Sequence, residues 1–323
     1  MTISTRLTEL LGIMHPILLA PMDLVSDGRL AAEVSKAGGF GIIGGGYGDE
    51  QWLARELDAA GNTKIGVGFI TWSMAKKPRV LDLTLERKPV AIMLSFGEVE
   101  PHADKIKKAG ARLICQVQTL AQAREALHSG ADVIVAQGAE GGGHGISRAT
   151  FPFVPAIVDI AGGVPVVAAG GITDGRGLAA ALMLGADGVL MGTRFYASNE
   201  AAGNAAAKER IVAAGGDNTF RSILFDIVRR NVWPAPYTGR LLLNNFSTRW
   251  RGRETELLQQ QEQEAARFDE ARAAGDFDTA GVIAGEAVDL ISEILPAAEI
   301  VERTVKEGSR LLTGASNRYR VRE

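Results

Sequence analysis

Short, continuously apolar runs alternate with amphipathic stretches along the first two thirds of the chain. The runs begin at Pro16 (PILLAPM), Phe40 (FGIIGGG), Lys64 (KIGVGFI), Val90 (VAIMLSF), Arg112 (RLICQV), Asp132 (DVIVAQG), Pro165 (PVVAAGG) and Gly188 (GVLMGTR). Continuous rather than alternating apolarity predicts strands covered on both faces, as in a parallel sheet. Between them, Asp27–Ala37 places Leu30, Ala31, Val34 and Ala37 near a 3.6-residue period, and Gly38 follows as a stop. Helices are likewise expected over Asp49–Ala60, Pro101–Ala109, Thr119–Ser129 and Asp174–Leu184, each ended by glycine and followed almost at once by a strand. Eight such units in succession predict an α/β fold closed as a (β/α)8 TIM barrel. An open doubly wound sheet would need a glycine-rich first βα turn, and that turn reads Ala20-Pro21-Met22-Asp23.

Beyond Arg194 the pattern changes. Strand signals are absent; Arg253–Ala274 is charged and Gln-rich and reads as an exposed helix. Another helix is expected from Thr279 towards Leu295, and Pro296 precedes a last one running through Glu307. The division expected is a barrel core over residues 1–200 and a C-terminal helical appendage over 201–323 that covers the barrel. The appendage is free to close the barrel mouth or to form a homodimer contact.

Composition narrows the function classes. The chain has 323 residues, enough for one barrel of about 250 plus an appendage. Its net charge of -3 carries no nucleic-acid or membrane-surface footprint. The single cysteine, Cys115, cannot close an intramolecular disulfide and lies within a strand, away from the setting of a thiolate nucleophile. Glu9, His15 and Pro16 interrupt any leader-like apolar core, and no apolar run is long enough to span a bilayer. A soluble cytoplasmic protein without membrane partners is expected. No clustered Cys/His pattern supports a metal site; His15, His102 and His128 sit in unrelated contexts and are expected at the surface.

Several motifs carry candidate chemistry. Gly39-Phe40-Gly41-Ile42-Ile43-Gly44 spells a dinucleotide fingerprint, but its centre is the strand itself rather than a strand-to-helix turn, so it is read as packing. The stretch Gly138-Ala139-Glu140-Gly141-Gly142-Gly143-His144-Gly145 follows the sixth strand, at the face where barrel active sites lie. Its glycines let backbone approach a ligand, and His144 suits proton transfer or donation to developing negative charge. The bland alternative is a flexible glycine loop with an exposed histidine. The last two strands end in Ala169-Gly170-Gly171 and Gly192-Thr193, the usual barrel phosphate site, with donors expected from glycine amides, the following helix N-terminus and the Thr193 hydroxyl. Ala20-Pro21-Met22 can lie against a flat ring; Gln116 ends the fifth strand with an amide that suits a ring edge.

Taken together, Ala20-Pro21-Met22, Ala37-Gly38-Gly39-Phe40-Gly41, Gln137-Gly138-Ala139-Glu140 with Gly142-Gly143-His144, Ala169-Gly170-Gly171-Ile172 and Gly192-Thr193-Arg194-Phe195 resemble the nitronate monooxygenase family, also called 2-nitropropane dioxygenases. The resemblance covers residues from about 10 to 200 well and the rest loosely. It implies FMN in a TIM barrel without metal, and oxidation of an alkyl nitronate as the small-molecule substrate, with O2 reoxidising the flavin. By the same resemblance His144 is the base or the donor to the nitro group, and Ala20, Pro21, Met22, Gln116, Gly138, Gly143, Ala169, Gly170, Gly171, Gly192 and Thr193 hold FMN. Two departures stand out: Gly66-Val67 is followed by Gly68 where many members have Asn, and Gly285-Glu286-Ala287-Val288 replaces a Gly-Gln-Gly-like segment. Rival readings on the same scaffold are an NAD(P)H-dependent flavin reductase (enoyl-ACP reductase-like or NADH:quinone reductase), and a non-enzymatic FMN-binding scaffold. An inosine-monophosphate-dehydrogenase-like barrel needs a Cys in the loop after the sixth strand, and residues 138–148 contain none.

Overall fold

A computed structural model describes residues 2–314. Eight parallel strands close into a barrel: β1 (Ile17–Leu19), β2 (Ile42–Gly46), β3 (Gly66–Ile70), β4 (Ala91–Ser95), β5 (Arg112–Val117), β6 (Val133–Gln137), β8 (Val166–Ala169) and β9 (Gly188–Met191). The order is β1-β9-β8-β6-β5-β4-β3-β2, and a parallel bridge from Leu18 to Phe40 joins the two ends. Each of the eight apolar runs is a barrel strand, and most of their residues are fully buried because helices cover the outside while side chains fill the inside.

The interior layer contains Leu18, Phe40, Ile42, Met93, Ile114, Val133, Val167 and Leu190. The N-terminal helix Arg6–Leu11 plugs its bottom with Leu7 and Leu11, and Arg6 forks onto Asp187 through two hydrogen bonds of 2.8 and 2.7 Å. Gly41 and Gly44 are packing positions, as expected: a Cβ would fall 1.8 Å from the Ala31 carbonyl oxygen and 2.3 Å from that of Met22. The outer helices start where capping side chains dictate. Asp27, Asp49, Thr119 and Asp174 each accept from an N–H of the first turn. The helix Thr150–Val158 had no readable period, since TFPFVPAIV is apolar nearly all round and contains two prolines.

The region after Arg194 departs from expectation in three ways. It is not strand-free: β10 (Thr219–Ser222) and β11 (Thr238–Leu242) form an antiparallel sheet with β7 (Gly143–Gly145), a short strand contributed by the glycine-rich stretch. These strands are short and carry Arg221 and Arg240, which hides their apolar signal. The charged segment is not an exposed helix but two, Glu254–Gln259 and Gln261–Ala274, with Glu264, Ala265, Phe268 and Ala271 buried. Glu264 masks the apolar stripe; its carboxylate takes Arg267 at 2.6 Å and the Trp250 indole N–H at 3.2 Å. Finally, the expected helix from Thr279 shrinks to one 3-10 turn, Glu286–Leu290, because this segment runs extended across the barrel mouth and bridges Leu241 through Ile283.

These pieces share their own apolar core, built on Phe220, Leu224, Phe225, Leu241, Phe246, Trp250, Phe268 and Phe277. The last helix, Ala297–Thr313, instead returns to the barrel core through Ile300, Val301 and Val305 and packs on Gly175–Met183. The added layer is therefore an insertion between the eighth barrel strand and the helix that completes the outer ring. His15 is buried rather than at the surface, tucked against Gly38, where a Cβ would meet its ring.

Candidate functional site

A cavity of about 390 Å³ opens at the C-terminal ends of the barrel strands, beneath the inserted layer. Ala20, Pro21, Met22, Gln116, Gly143, His144, Ala169, Gly170, Gly171, Gly192 and Thr193 all line it. Gly138 does not. It packs behind the lining, where a Cβ would fall 2.0 Å from the Thr150 hydroxyl, so its smallness serves a backbone-to-helix contact.

The floor after the last two barrel strands presents unpaired donors. Gly170 and Gly171 take φ of 100° and 72°, a left-handed path that a side chain would strain. Among the described residues, the N–H groups of Gly170, Gly171, Gly192 and Thr193 donate to no protein acceptor. The Thr193 hydroxyl accepts from the Gly285 N–H at 3.0 Å, leaving its own hydrogen to donate. At Gly192 a Cβ would meet only Ala20 and Met22 at ordinary contact distances, so protein packing alone does not demand glycine there. Two lining hydroxyls, Ser95 and Thr173, are buried without a partner among the described residues. The two buried hydroxyls require an acceptor, and the four open amides are free to take one from a ligand. The residues present thus suit a flat ligand with an anionic tail. One expected donor group is otherwise employed: the helix Gly175–Met183 has its first amides capped by Glu307 and Asp174, so it offers none to a phosphate.

His144 sits in β7 rather than on a free loop, and hydrogen bonds hold the glycine-rich stretch on both sides of it. Arg221 and Arg240 both donate to the Ala139 carbonyl, at 3.2 and 3.0 Å. Glu140 accepts from the Thr150 N–H and hydroxyl, and Gln137 donates to the His144 carbonyl at 3.1 Å. Gln137 also accepts from Gln116 and Gln118 at 2.6 and 2.7 Å, which fixes the Gln116 amide at the cavity wall. The imidazole Nε2 lies 3.0 Å from both carboxylate oxygens of Asp226, and the two side chains retain only 9% and 8% exposure. Nε2–H therefore donates to Asp226, and Nδ1 has no hydrogen bond among the described residues. Burial pushes the His144 pKa below its ordinary value, partly opposed by Asp226, while Arg229 and Arg221 add to the lowering.

Comparison with known proteins gives the family. The family model for nitronate monooxygenase matches residues 4–63 and 58–307. The chain belongs to the nitronate monooxygenase family. It is 38% identical to nitronate monooxygenase npaC of Metarhizium robertsii, with 92% of each chain covered. It is 34% identical to a nitronate monooxygenase of Neurospora crassa, over 91% of this chain and 89% of the other. The structure of FabK from Thermotoga maritima superposes with a TM-score of 0.87 at 32% identity, covering 98% of this chain and all of that one. Membership in the family makes the chain an oxidoreductase on a TIM barrel. No helix among the described residues is long and apolar enough to cross a membrane.

Against the family motifs, sequence reasoning missed Asp226 and Trp233. Asp226 lies 82 residues from its partner in the unremarkable helix Leu224–Val228. Trp233 stacks on His144 with ring centroids 3.4 Å apart and planes at 7°. A lone Asp and a Trp-Pro dipeptide in a region without apolar period gave no local signal. Asp23, Tyr47, Phe96, Arg229 and Arg272 also line the cavity and were not singled out.

Proposed function

We propose that this enzyme binds FMN and oxidises alkyl nitronates with O2 as electron acceptor, His144 serving as base toward a nitroalkane or donor toward the nitronate. The reading rests above all on one juxtaposition: a row of unpaired backbone donors and a carboxylate-backed imidazole share a single cavity. Gly170, Gly171, Gly192 and Thr193 would hold the phosphate, Ala20–Met22 would face the ring system, and Gln116, Gly143 and Ala169 would meet its edges. Bound there, the flavin supplies the two-electron oxidation and its return to O2.

The chain's own residues supply position and proton control. Burial holds the His144 pKa down and so favours its neutral form. Asp226 fixes the tautomer with hydrogen on Nε2, so the Nδ1 lone pair is the one available to take a carbon-bound proton. The imidazolium formed would face a carboxylate 3.0 Å away, which stabilises it without a large solvent reorganisation. Once charged, the same ring can donate to nitronate oxygens.

The test is spectral and kinetic. The purified protein should be yellow, and anaerobic nitronate should bleach it. His144→Ala should keep FMN and lose roughly 10²- to 10⁴-fold in kcat/KM. Wild-type kcat/KM in that variant removes His144 from the mechanism; a protein unable to take up FMN removes the cofactor. Fast bleaching by NADH, with none by nitronate, replaces the proposal with a nicotinamide-driven reductase.

A further inference from the structure

A single stretch, residues 226–233, brings three groups to one imidazole. Asp226 holds Nε2 from the helix Leu224–Val228. Arg229, just past the helix end, lies 5.9 Å over the Tyr47 ring. Trp233 follows in a loop whose neighbouring Val232 is 86% exposed, yet its indole is turned inward against His144. Its Nε1–H donates to the Tyr47 hydroxyl at 2.9 Å. Trp72, Phe96 and Tyr237 meet the indole edge-on, with centroids 5.5, 5.1 and 6.2 Å away. Such edge contacts and the tether hold the indole in one orientation.

A hydrogen bond fixes a point on a ring, whereas a stack fixes its plane. The torsion that turns an imidazole is broad and soft. Nε2 can stay on Asp226 while the ring rocks about that bond, sweeping Nδ1 through an arc. A parallel indole at 3.4 Å removes that freedom. We propose that Trp233 is a positioning residue for His144: its indole sets the imidazole plane, keeps Nδ1 directed at one place in the cavity, and excludes water from one ring face. The inference rests on the reading of His144 as the group that meets substrate. The charged groups facing the imidazole are Asp226, Arg229 and, from β10, Arg221. None of them covers the ring face, so uncovering it admits water to the cation. Because burial is the largest influence on this histidine, uncovering moves its titration up, towards the ordinary value.

The experiment uses the flavin-loaded full chain carrying Trp233→Leu or Trp233→Phe. Two quantities are read: kcat and KM for a neutral nitroalkane across pH, and the NMR titration of the His144 ring. Trp233→Leu should lower kcat about tenfold while KM moves by less than about twofold. Both the acid limb of the rate profile and the ring titration should shift to higher pH. Trp233→Phe keeps a stacking ring and should recover most of the rate. A leucine variant with wild-type kcat and an unmoved titration overturns the proposal. If the wild-type enzyme turns over no nitroalkane or nitronate, the functional reading fails, and the ring titration alone still decides the stack. If Trp233→Leu does not fold, Tyr47→Phe, which removes the acceptor of the indole N–H, should give the same upward shift in smaller measure; an unmoved titration there overturns it equally.

Discussion

The barrel rim and the inserted layer build the same cavity from different materials. The rim offers main chain: the left-handed path of Gly170–Gly171 and the free amides at Gly192–Thr193. The insertion offers side chains: the Trp233 indole and the Arg229 guanidinium on the lining, and the Asp226 carboxylate behind His144. Gripping an anion needs only N–H groups aimed by backbone geometry, which glycine permits and strand ends repeat. Tuning an imidazole needs a charge, a surface and the exclusion of water, which main chain cannot supply. His144 belongs to both: by sequence it follows a barrel strand, and by pairing it lies in the insertion's sheet, with Gly239 opposite it.

If the rim works through main chain, the severest damage should come from a side chain placed there. Gly171→Val puts a β-branched residue at φ 72°, beside Glu140 3.3 Å from the new Cβ, and turns the amides out of line. Loss of nearly all bound flavin is expected, read as visible absorbance per chain, with His144 and the insertion intact; full flavin content would break the comparison. The insertion's role is sharpened by Asp226→Asn, which should keep flavin but cost about 10- to 100-fold in kcat/KM for a neutral nitroalkane. Here the sign is fixed: Asp226 draws the His144 pKa upward, so its loss drives the pKa lower still, and the acid limb of the rate profile moves down in pH. A limb that stays or rises would show that the carboxylate does not control this ring. Smallest is Gln137→Leu, at the seam between the two regions. It leaves the Gln116 and Gln118 amides without their acceptor and frees the His144 carbonyl, and should cost about 1–3 kcal/mol by denaturant titration, with kcat reduced only modestly.

The same contrast explains what the sequence made legible. Barrel strands announce themselves because burial on both faces forces unbroken apolar runs such as Val133–Gln137 and Val166–Ala169. The rim glycines are visible because a left-handed backbone excludes most other residues. His144 stood out by standing alone in a glycine-rich stretch, although its strand conformation did not, since it exists only by pairing with Thr238–Arg240 nearly a hundred positions later. The two strands of the insertion and the buried face of its charged helix stayed hidden for a related reason. Its strands are too short for a period, and its longest helix buries Glu264, a charge that local pattern counts as solvent-facing. Asp226 is legible only in three dimensions: nothing near it in sequence distinguishes it from a surface carboxylate.

The pairing of Gly143–Gly145 with Thr238–Arg240 has a mechanical corollary. The imidazole is stitched into the sheet of the inserted layer rather than standing on the barrel beneath it. A displacement of Thr238–Arg240 would pull directly on the backbone of His144, so the upper sheet sets the place of the ring as much as the barrel does.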